Sequence, residues 1–231
     1  LSDEEAVLAE PFGVALHAVL RNRPSDDETV LVLGAGIIGL LTVAALRAVG
    51  CRARILVTAR YPFQAEAAAR LGADAVLRTR PGSPLYRELA RLTGARVYRA
   101  RFGRWLVQGG VDTVFDCVGS SRSVQDALAV TRAGGRVVLV GLASDPHSVD
   151  WTPIWLREVE IRGSMAYADE LLDGIRASSI HHAVRLMAER RVELGWLVTH
   201  RFALADYRAA LETVTAKGSS GVIKAVFAFD R

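Results

Sequence analysis

The sequence predicts an α/β protein built on a doubly wound, six-stranded parallel sheet. Two observations carry this prediction: short runs of Val, Ile and Leu alternate with longer amphipathic stretches, and a glycine-rich turn follows the first of those runs. Strands of a parallel sheet are covered by helices on both faces, so they read as continuous apolar runs. A chain of 231 residues, of which 51% are hydrophobic, is large enough to bury such a core.

The N-terminal segment begins with a capping box, in which Ser2 caps a helix and Glu5 reaches back to it. This helix is expected to run to about Leu20 and to restart near Pro11, because proline lacks a backbone donor. The predicted strands are Val30–Leu33, Ile55–Thr58, Ala75–Leu77, Thr113–Cys117, Val137–Val140 and Glu160–Arg162. The predicted helices are Ile37–Val49, Phe63–Leu71, Leu85–Thr93, Ser123–Thr131 and Glu170–Arg190.

After residue 190 the pattern changes to an extended segment, a helix and a last strand. These are predicted at Val192–Thr199, Ala205–Ala216 and Val222–Phe229. The chain therefore divides into an N-terminal helical segment (1–24), a sheet domain (25–164) and a C-terminal region (165–231). Residues 96–105 are expected to form an extended loop, and the adjacent pair His181 and His182 is expected at the surface or at an interface.

Composition excludes several classes of protein. Two cysteines, Cys51 and Cys117, cannot form a disulfide framework and suit a reducing compartment, so we expect a cytoplasmic protein. No apolar run reaches 18 residues, so we expect no membrane partner. The net charge is +4, but acidic residues are interleaved with the arginines almost everywhere. We therefore expect no nucleic-acid partner.

The strongest local motif is Gly34-x-Gly36-x-x-Gly39, which closes an apolar strand and opens an apolar helix. In the Rossmann fold, the first glycine permits the tight turn, the second lets the backbone approach a pyrophosphate, and the third packs helix on strand. The N–H groups of Ile37 and Ile38 would then face the anion at the helix N-terminus. The alternative is a glycine-rich turn that binds nothing.

The end of the second strand indicates which dinucleotide is bound. NAD-binding domains carry an Asp or Glu there that binds the ribose hydroxyls. Here the strand ends in Thr58-Ala59-Arg60, and the next acidic residue is Glu66. Thr58 can donate a hydrogen bond and Arg60 can pair with a 2′-phosphate, so the sequence favours NADP(H) over NAD(H). Alternatively, Arg60 is a solvated loop residue.

Further motifs follow in order along the chain. They are Ala9-Glu10-Pro11 with His17, Asp116-Cys-Val-Gly119, Gly134 through Gly141, Glu158 through Ser164, and Phe202 through Lys224. With the glycine loop, they resemble the medium-chain dehydrogenase/reductase family, in its zinc-containing branch of alcohol, polyol and threonine dehydrogenases. The resemblance covers essentially the whole chain and identifies residues 1–24 as the family's linking helix.

The resemblance implies further cofactor contacts. Val118 and Gly119 would lie at the adenosine side, and Val140, Gly141 and Leu142 at the ribose and nicotinamide. Ser164, with Gly163, would approach the carboxamide, and Lys224 would neutralise the pyrophosphate. The valines could equally be ordinary core residues. The resemblance also implies a homodimer formed edge to edge near the sixth strand, beside the apolar residues Trp151 to Trp155.

One part of the family pattern is missing. In this family a GroES-like domain precedes the linking helix and supplies the Cys and His-Glu ligands of the catalytic zinc, and no such motifs occur here. Glu10 matches an acidic residue at or near that zinc; alternatively, it is a helix-end carboxylate paired with an arginine. One carboxylate cannot hold zinc, so we expect this chain alone to be inactive. Because it begins at Leu1 without Met, we expect about two-thirds of an enzyme.

The sequence therefore predicts the cofactor-binding portion of an oxidoreductase that moves hydride between NADP(H) and an alcohol/carbonyl pair, with zinc supplied only in the intact enzyme. Two alternatives remain. The first is a nucleotide-binding module without catalysis. The second is a zinc-free NADPH-dependent quinone or enoyl reductase of the same superfamily. No residue of this chain is predicted to donate a proton.

Overall fold

A computed structural model describes residues 1–79, 85–99 and 105–229. The strands are β1 (Thr29–Leu33), β2 (Arg54–Ala59), β3 (Ala75–Arg78), β4 (Arg96–Arg99), β5 (Trp105–Gln108), β6 (Val111–Asp116), β7 (Thr131–Leu139), β8 (Glu160–Gly163), β9 (Asp169–Leu172), β10 (Ile175–Ser178), β11 (Val198–Ala203) and β12 (Lys224–Ala228). The helices are α1 (Asp3–Ala6), α2 (Ala9–Arg21), α3 (Ile37–Ala48), α4 (Pro62–Arg70), α5 (Leu85–Thr93), α6 (Ser121–Val130), α7 (Thr152–Leu156), α8 (Ser179–Ala188), α9 (Tyr207–Thr215) and α10 (Lys217–Ser220).

The central sheet has six parallel strands in the order β3-β2-β1-β6-β7-β8. This is the doubly wound order, in which the chain returns to the middle of the sheet after three strands and then winds outward in the other direction. Val30 lies opposite Ile55 in β2 and opposite Thr113 in β6. The predicted fold class is confirmed, and all six predicted strands of the sheet are present.

Each face of the sheet is covered by helices over its own apolar core. On one face α2, α3 and α8 bury Phe12, Leu41 and Leu186. On the other face α5 and α6 bury Leu89 and Leu128. Both faces of the central strands are therefore dry, which explains why their sequences read as continuous apolar runs.

The N-terminal segment forms two helices. The predicted capping box is present: Glu5 N donates to Ser2 Oγ at 3.2 Å, and Ser2 N donates to Glu5 Oε2 at 2.8 Å. The chain breaks after α1 and restarts at Ala9, which places Pro11 in the first turn of α2, where its missing N–H costs little.

The prediction of a single helix over Glu170–Arg190 is wrong in its first half. Residues 169–178 form the antiparallel hairpin β9–β10, and the helix begins only at Ser179. Asp173 and Gly174 form the turn with φ of 55° and 79°, the left-handed pair that a two-residue hairpin requires. The Asp-Gly dipeptide is a strong hairpin signal, and here it outweighs the amphipathic pattern.

Buried polar contacts fasten this hairpin to the helices. Glu170 Oε1 lies 2.8 Å from His17 Nδ1 in α2, and both side chains are about nine-tenths buried. His182 in α8 lies fully buried, with Nε2 3.0 Å from the backbone oxygen of Glu170. The expectation that the 181–182 pair lies at the surface or at an interface is therefore wrong for His182, because the hairpin of the same chain covers it; His181 is exposed.

Two smaller sheets complete the described part of the chain. In the stretch predicted as a loop at 96–105, Arg96–Arg99 and Trp105–Gln108 instead pair as the antiparallel β4–β5 hairpin; residues 100–104 lie outside the described residues. At the C-terminus, β11 and β12 pair in parallel, with α9 between them in sequence. The predicted extended segment at 192–199 becomes extended only from Val198. Among the described helices, none is both long and apolar enough to cross a membrane.

Candidate functional site: a cleft at the carboxyl ends of the strands

A cavity of about 1180 Å³ lies at the carboxyl ends of β1, β2, β3 and β6. Ligands of doubly wound sheets bind at this edge, next to the point where the strand order reverses. Strands β1 and β6 flank that point here. The fold therefore places this cleft where a dinucleotide is expected.

The glycine loop has the three features that its sequence predicts. Gly34 has a φ of +91°, in the left-handed region that glycine adopts without strain. A Cβ added at Gly36 would meet no atom within 4 Å, so the backbone there is open to a ligand. A Cβ added at Gly39 would lie 1.8 Å from the carbonyl oxygen of Gly34, so only glycine lets α3 pack on the loop. Gly34 and Gly36 line the cavity.

The end of β2 joins this loop through a hydrogen bond. Gly34 N donates to Thr58 Oγ1 at 2.8 Å, which leaves the hydroxyl hydrogen of Thr58 to donate into the cavity. Arg60 is exposed, and its guanidinium lies 5.4 Å from the centre of the Tyr61 ring. Gln64 Oε1 accepts hydrogen bonds from the backbone N–H groups of Arg60 and Tyr61, both at 3.2 Å. Arg60, which the sequence assigns to a 2′-phosphate, therefore lines the cavity from a backbone segment that hydrogen bonds hold in place.

The end of β6 is organised by the buried carboxylate of Asp116. Its Oδ1 accepts from Val118 N at 2.9 Å and from Gly119 N at 3.1 Å, and its Oδ2 accepts from Ser123 Oγ at 2.9 Å. Burial raises the pKa of Asp116 above its usual range, although these hydrogen bonds oppose the shift. Asp116 thus shapes the loop that presents Val118 to the cavity.

Five of the residues predicted to bind cofactor line the cavity: Gly34, Gly36, Thr58, Arg60 and Val118. Nine do not line it: Ile37, Ile38, Gly39, Gly119, Val140, Gly141, Leu142, Ser164 and Lys224. Some of these have a visible packing role, since a Cβ on Gly141 would come within 2.6 Å of Gly119 N. Leu142 is 87% exposed. Their contacts with a cofactor remain predictions.

Ser164 lies elsewhere, in a second cavity of about 330 Å³ that it shares with Gly163, His17 and Asn22. The two lysines of the C-terminal region are placed differently relative to the main cavity. Lys217, at the start of α10, lines the main cavity, whereas Lys224 lies in β12.

Sequence reasoning missed the outer wall of the main cavity. Tyr86 and Arg87 from α5, Trp105 from β5, and Arg122 and Asp126 from α6 form it. No sequence motif marks these residues, because three separate elements bring them together.

The residues present do not form a zinc site. Glu10 lies in the first turn of α2 with an exposed side chain. Within the described ranges, no group of three or more His, Cys, Asp or Glu side chains could hold a metal ion. A role for Glu10 in a metal site remains a prediction. The glycine loop and its open cleft, in contrast, fit a dinucleotide.

The fold and this cleft define the class of protein: a dinucleotide-binding domain of the kind found in nicotinamide-dependent dehydrogenases. The family of zinc-binding dehydrogenases matches residues 38–188. The chain belongs to that family, as its sequence predicts.

Three relatives show the extent of the similarity. The chain is 34% identical to L-idonate 5-dehydrogenase of Vitis vinifera over 226 residues, which cover 96% of this chain and 56% of that protein. A putative zinc-binding dehydrogenase of Sinorhizobium meliloti bound to NADP is 25% identical, with a TM-score of 0.71 over 95% of this chain and 58% of that one. A short chain alcohol dehydrogenase of Escherichia coli CFT073 complexed with NADH shares the fold, at 23% identity and a TM-score of 0.78, over 99% of this chain and 60% of that one.

The chain spans about half the length of the curated relatives it matches, which is less than the two-thirds expected from the sequence. The family match favours the dehydrogenase interpretation over the two alternatives. Similar proteins bind NADP in one structure and NADH in another, so the comparisons support a nicotinamide dinucleotide without choosing between the two.

Proposed function

We propose that this chain is the cofactor-binding part of a dehydrogenase that transfers hydride between NADP(H) and an alcohol or carbonyl substrate. The charge of the cavity carries the proposal. Among the described residues that line it, Arg60, Arg87, Arg122 and Lys217 are cationic, and Asp126 is the one acidic residue. Such a cleft favours a ligand with several phosphate charges.

The choice of NADP(H) rests on the end of β2. In this proposal Arg60 pairs with the 2′-phosphate, and the Thr58 hydroxyl donates to the same ribose. No carboxylate occupies the position from which NAD-binding domains hold the 2′-hydroxyl, so nothing there repels a phosphate. Gly36 admits the pyrophosphate to the N-terminus of α3, and Lys217 supplies charge from the tail.

Titration of NADP(H) and NAD(H) into the purified chain tests this proposal. We expect NADPH to bind at least tenfold more tightly than NADH, and Arg60→Ala to remove most of that ratio, because one charge-assisted pair is worth about 1.5–3 kcal/mol. Arg208→Ala is the matched control, since Arg208 is exposed and does not line the cavity. Equal or tighter binding of NADH would refute the preference. Binding of neither dinucleotide would refute the proposed function.

Chemistry at the substrate requires groups outside those described. Zinc in such enzymes polarises the substrate oxygen as a Lewis acid. This chain binds and orients the dinucleotide, and no step at the metal is assigned to its residues. We therefore expect the chain alone to bind cofactor without oxidising alcohols, even with added zinc.

We also propose that the protein functions as a homodimer through the outer edge of β8. This strand is the last of the sheet, and its residues 160–163 are largely exposed. The adjacent helix α7 exposes Trp155 at 72% and Leu156 at 60%, with Trp151 at 46% just before it. An edge strand beside an apolar patch is a natural pairing surface.

Light scattering at micromolar concentration tests the dimer. We expect twice the mass of the chain and a shift toward monomer for Trp155→Asp; Tyr207→Asp, at an exposed aromatic residue on α9, is the control. A monomer in the wild type would reject this part of the proposal.

A further inference from the structure

The β4–β5 hairpin has no role in the proposed function so far, yet it contributes a side chain to the main cavity. Trp105, the first residue of β5, lines the same cleft as the glycine loop. The sequence predicts an extended loop in this stretch. The hairpin is therefore a part of the site that the glycine motif does not account for.

Trp105 belongs to a wall with defined internal contacts. Its ring lies 6.2 Å from the ring of Tyr86, tilted by 44°, and the Arg87 guanidinium lies 5.6 Å from its centre. The Tyr86 hydroxyl donates to Asp126 Oδ1 at 2.5 Å, and Arg122 Nε donates to Asp126 Oδ2 at 2.9 Å. Burial and the neighbouring carboxylate raise the pKa of Tyr86, so its phenol stays protonated and keeps donating.

This wall suits a planar aromatic base. Tyr86 is buried and fixed by Asp126, whereas Trp105 remains 36% exposed at the cavity surface. An indole face stacks on any nucleobase, and a guanidinium beside it adds a cation–π contribution. Each oxygen of Asp126 accepts one of these hydrogen bonds and keeps a further lone pair, so the carboxylate can also accept from an exocyclic amine.

The other walls of the cleft are already assigned. The glycine loop suits the pyrophosphate, and Thr58 with Arg60 suits the ribose and its 2′-phosphate. The adenine base is the part of the adenosine half to which no cavity residue has yet been assigned. The aromatic and cationic character of the remaining wall matches it.

We infer that the β4–β5 hairpin is part of the cofactor site and that Trp105 stacks on the adenine base of the dinucleotide. This inference rests on the proposed function and deepens it. It makes Trp105 an affinity-determining residue that lies far from the glycine motif in sequence. It also predicts that substitution of Trp105 weakens the binding of the adenosine half of the cofactor and leaves the binding of the nicotinamide half unchanged.

The test measures binding of three probes by calorimetry: NADPH, adenosine 2′,5′-bisphosphate and reduced nicotinamide mononucleotide. We expect Trp105→Ala to weaken NADPH and the bisphosphate by the same factor, about 5- to 100-fold, as for loss of one aromatic stack. The mononucleotide should bind the variant as it binds the wild type. Trp105→Phe should restore most of the affinity, because a phenyl ring still stacks.

Tyr207→Ala is the matched control, since Tyr207 is an exposed aromatic residue that does not line the cavity. The bisphosphate should quench tryptophan fluorescence in the wild type and in this control, and much less in Trp105→Phe. Circular dichroism and the melting temperature check that each variant is folded.

The outcomes separate the two proposals. If the wild type binds neither NADPH nor the bisphosphate, both proposals fail. If Arg60→Ala weakens binding and Trp105→Ala does not, the proposed function stands and the inference is overturned. If Trp105→Ala weakens the mononucleotide as much as the bisphosphate, the substitution disturbs the whole cleft, and stacking on adenine is again overturned.

Discussion

Two glycines three residues apart should respond to the same substitution in opposite ways. Gly36 and Gly39 belong to one motif, yet an added Cβ meets open space at the first and a backbone carbonyl at the second. Alanine at position 36 should therefore affect binding, and alanine at position 39 should affect folding.

For Gly39→Ala, the methyl group would lie 1.8 Å from Gly34 O, and real Cβ atoms essentially never approach closer than 3.0 Å. The loop or the helix must therefore shift by about 1.2 Å, and overpacking of this kind costs about 1–3 kcal/mol. For a protein of this size, that corresponds to a fall in Tm of about 2–12 °C.

For Gly36→Ala, the backbone already has φ −75° and ψ −178°, which alanine adopts without strain. Gly36 caps α3, and alanine is a poorer cap, but alanine also lowers the entropy of the unfolded chain. These effects nearly cancel, so we expect stability to change by less than about 1 kcal/mol. The methyl group would project into the path of the pyrophosphate, and NADPH affinity should fall at least tenfold.

Urea unfolding followed by circular dichroism, together with calorimetric titration of NADPH, measures both quantities on each variant. Equal destabilisation by the two substitutions would refute the packing argument. A Gly36→Ala variant that binds NADPH as the wild type does would refute the approach of the pyrophosphate to that residue.

Three further predictions concern buried groups. Burial raises the pKa of Asp116, so the folded state favours the protonated carboxyl. The stability that this carboxyl contributes is therefore fully present below pH 3.8, and it is lost as the pH rises through the raised pKa of the folded state. Asp116→Asn should therefore gain stability relative to the wild type between pH 4 and pH 7 in urea unfolding, and a difference independent of pH would contradict this. Burial raises the pKa of the Cys117 thiol to about 12, and Cys51 is buried. A thiol reagent at pH 8 should therefore modify neither cysteine until urea unfolds the chain. Rapid labelling of the folded chain would contradict this prediction. Glu170→Ala should lower the free energy of unfolding by about 2–3 kcal/mol, because it leaves His17 buried without its hydrogen-bond partner. Glu170→Gln should lower it by less, because the amide oxygen can still accept from His17. Equal effects of the two substitutions in thermal unfolding would count against this reasoning.

The six strands of the sheet could be predicted because their signal is local. Each is a short apolar run bounded by turn residues, and continuous runs arise only when both faces are covered. The glycine loop is equally local, since nine consecutive residues from Leu31 to Gly39 contain a strand end, the turn and a helix start. The helix predicted over residues 170–178 is wrong because the Asp173-Gly174 turn determines the local structure there, and amphipathic periodicity alone does not reveal it.

The outer wall of the cleft could not be predicted for a different reason. Tyr86, Trp105 and Asp126 lie 19 to 40 residues apart in sequence. Tyr86 and Trp105 lie in the crossover between β3 and β6, and Asp126 lies in α6, which follows β6. They meet only because this crossover packs beside α6 on one face of the sheet, and that placement depends on tertiary packing. Glu10 shows the converse limit: apolar neighbours in sequence do not imply burial, since Leu8 and Phe12 are buried while the side chain of Glu10 is exposed.

The loops around the cleft are fastened to one another without a ligand. Thr58 joins the end of β2 to Gly34, and Cys117 N donates to Leu33 O at 3.0 Å, which joins the end of β6 to that of β1. The backbone oxygen of Asp116 accepts from Gly141 N at 2.8 Å, so the end of β7 is held as well. Four strand ends therefore form one hydrogen-bonded rim, and a dinucleotide that binds there need not order it. Preorganisation of this kind removes part of the entropic cost of binding. In the proposed complex, affinity then depends on side chains that line the cleft around this rim, Arg60 after β2 and Trp105 in β5, which makes these two side chains the decisive ones to exchange.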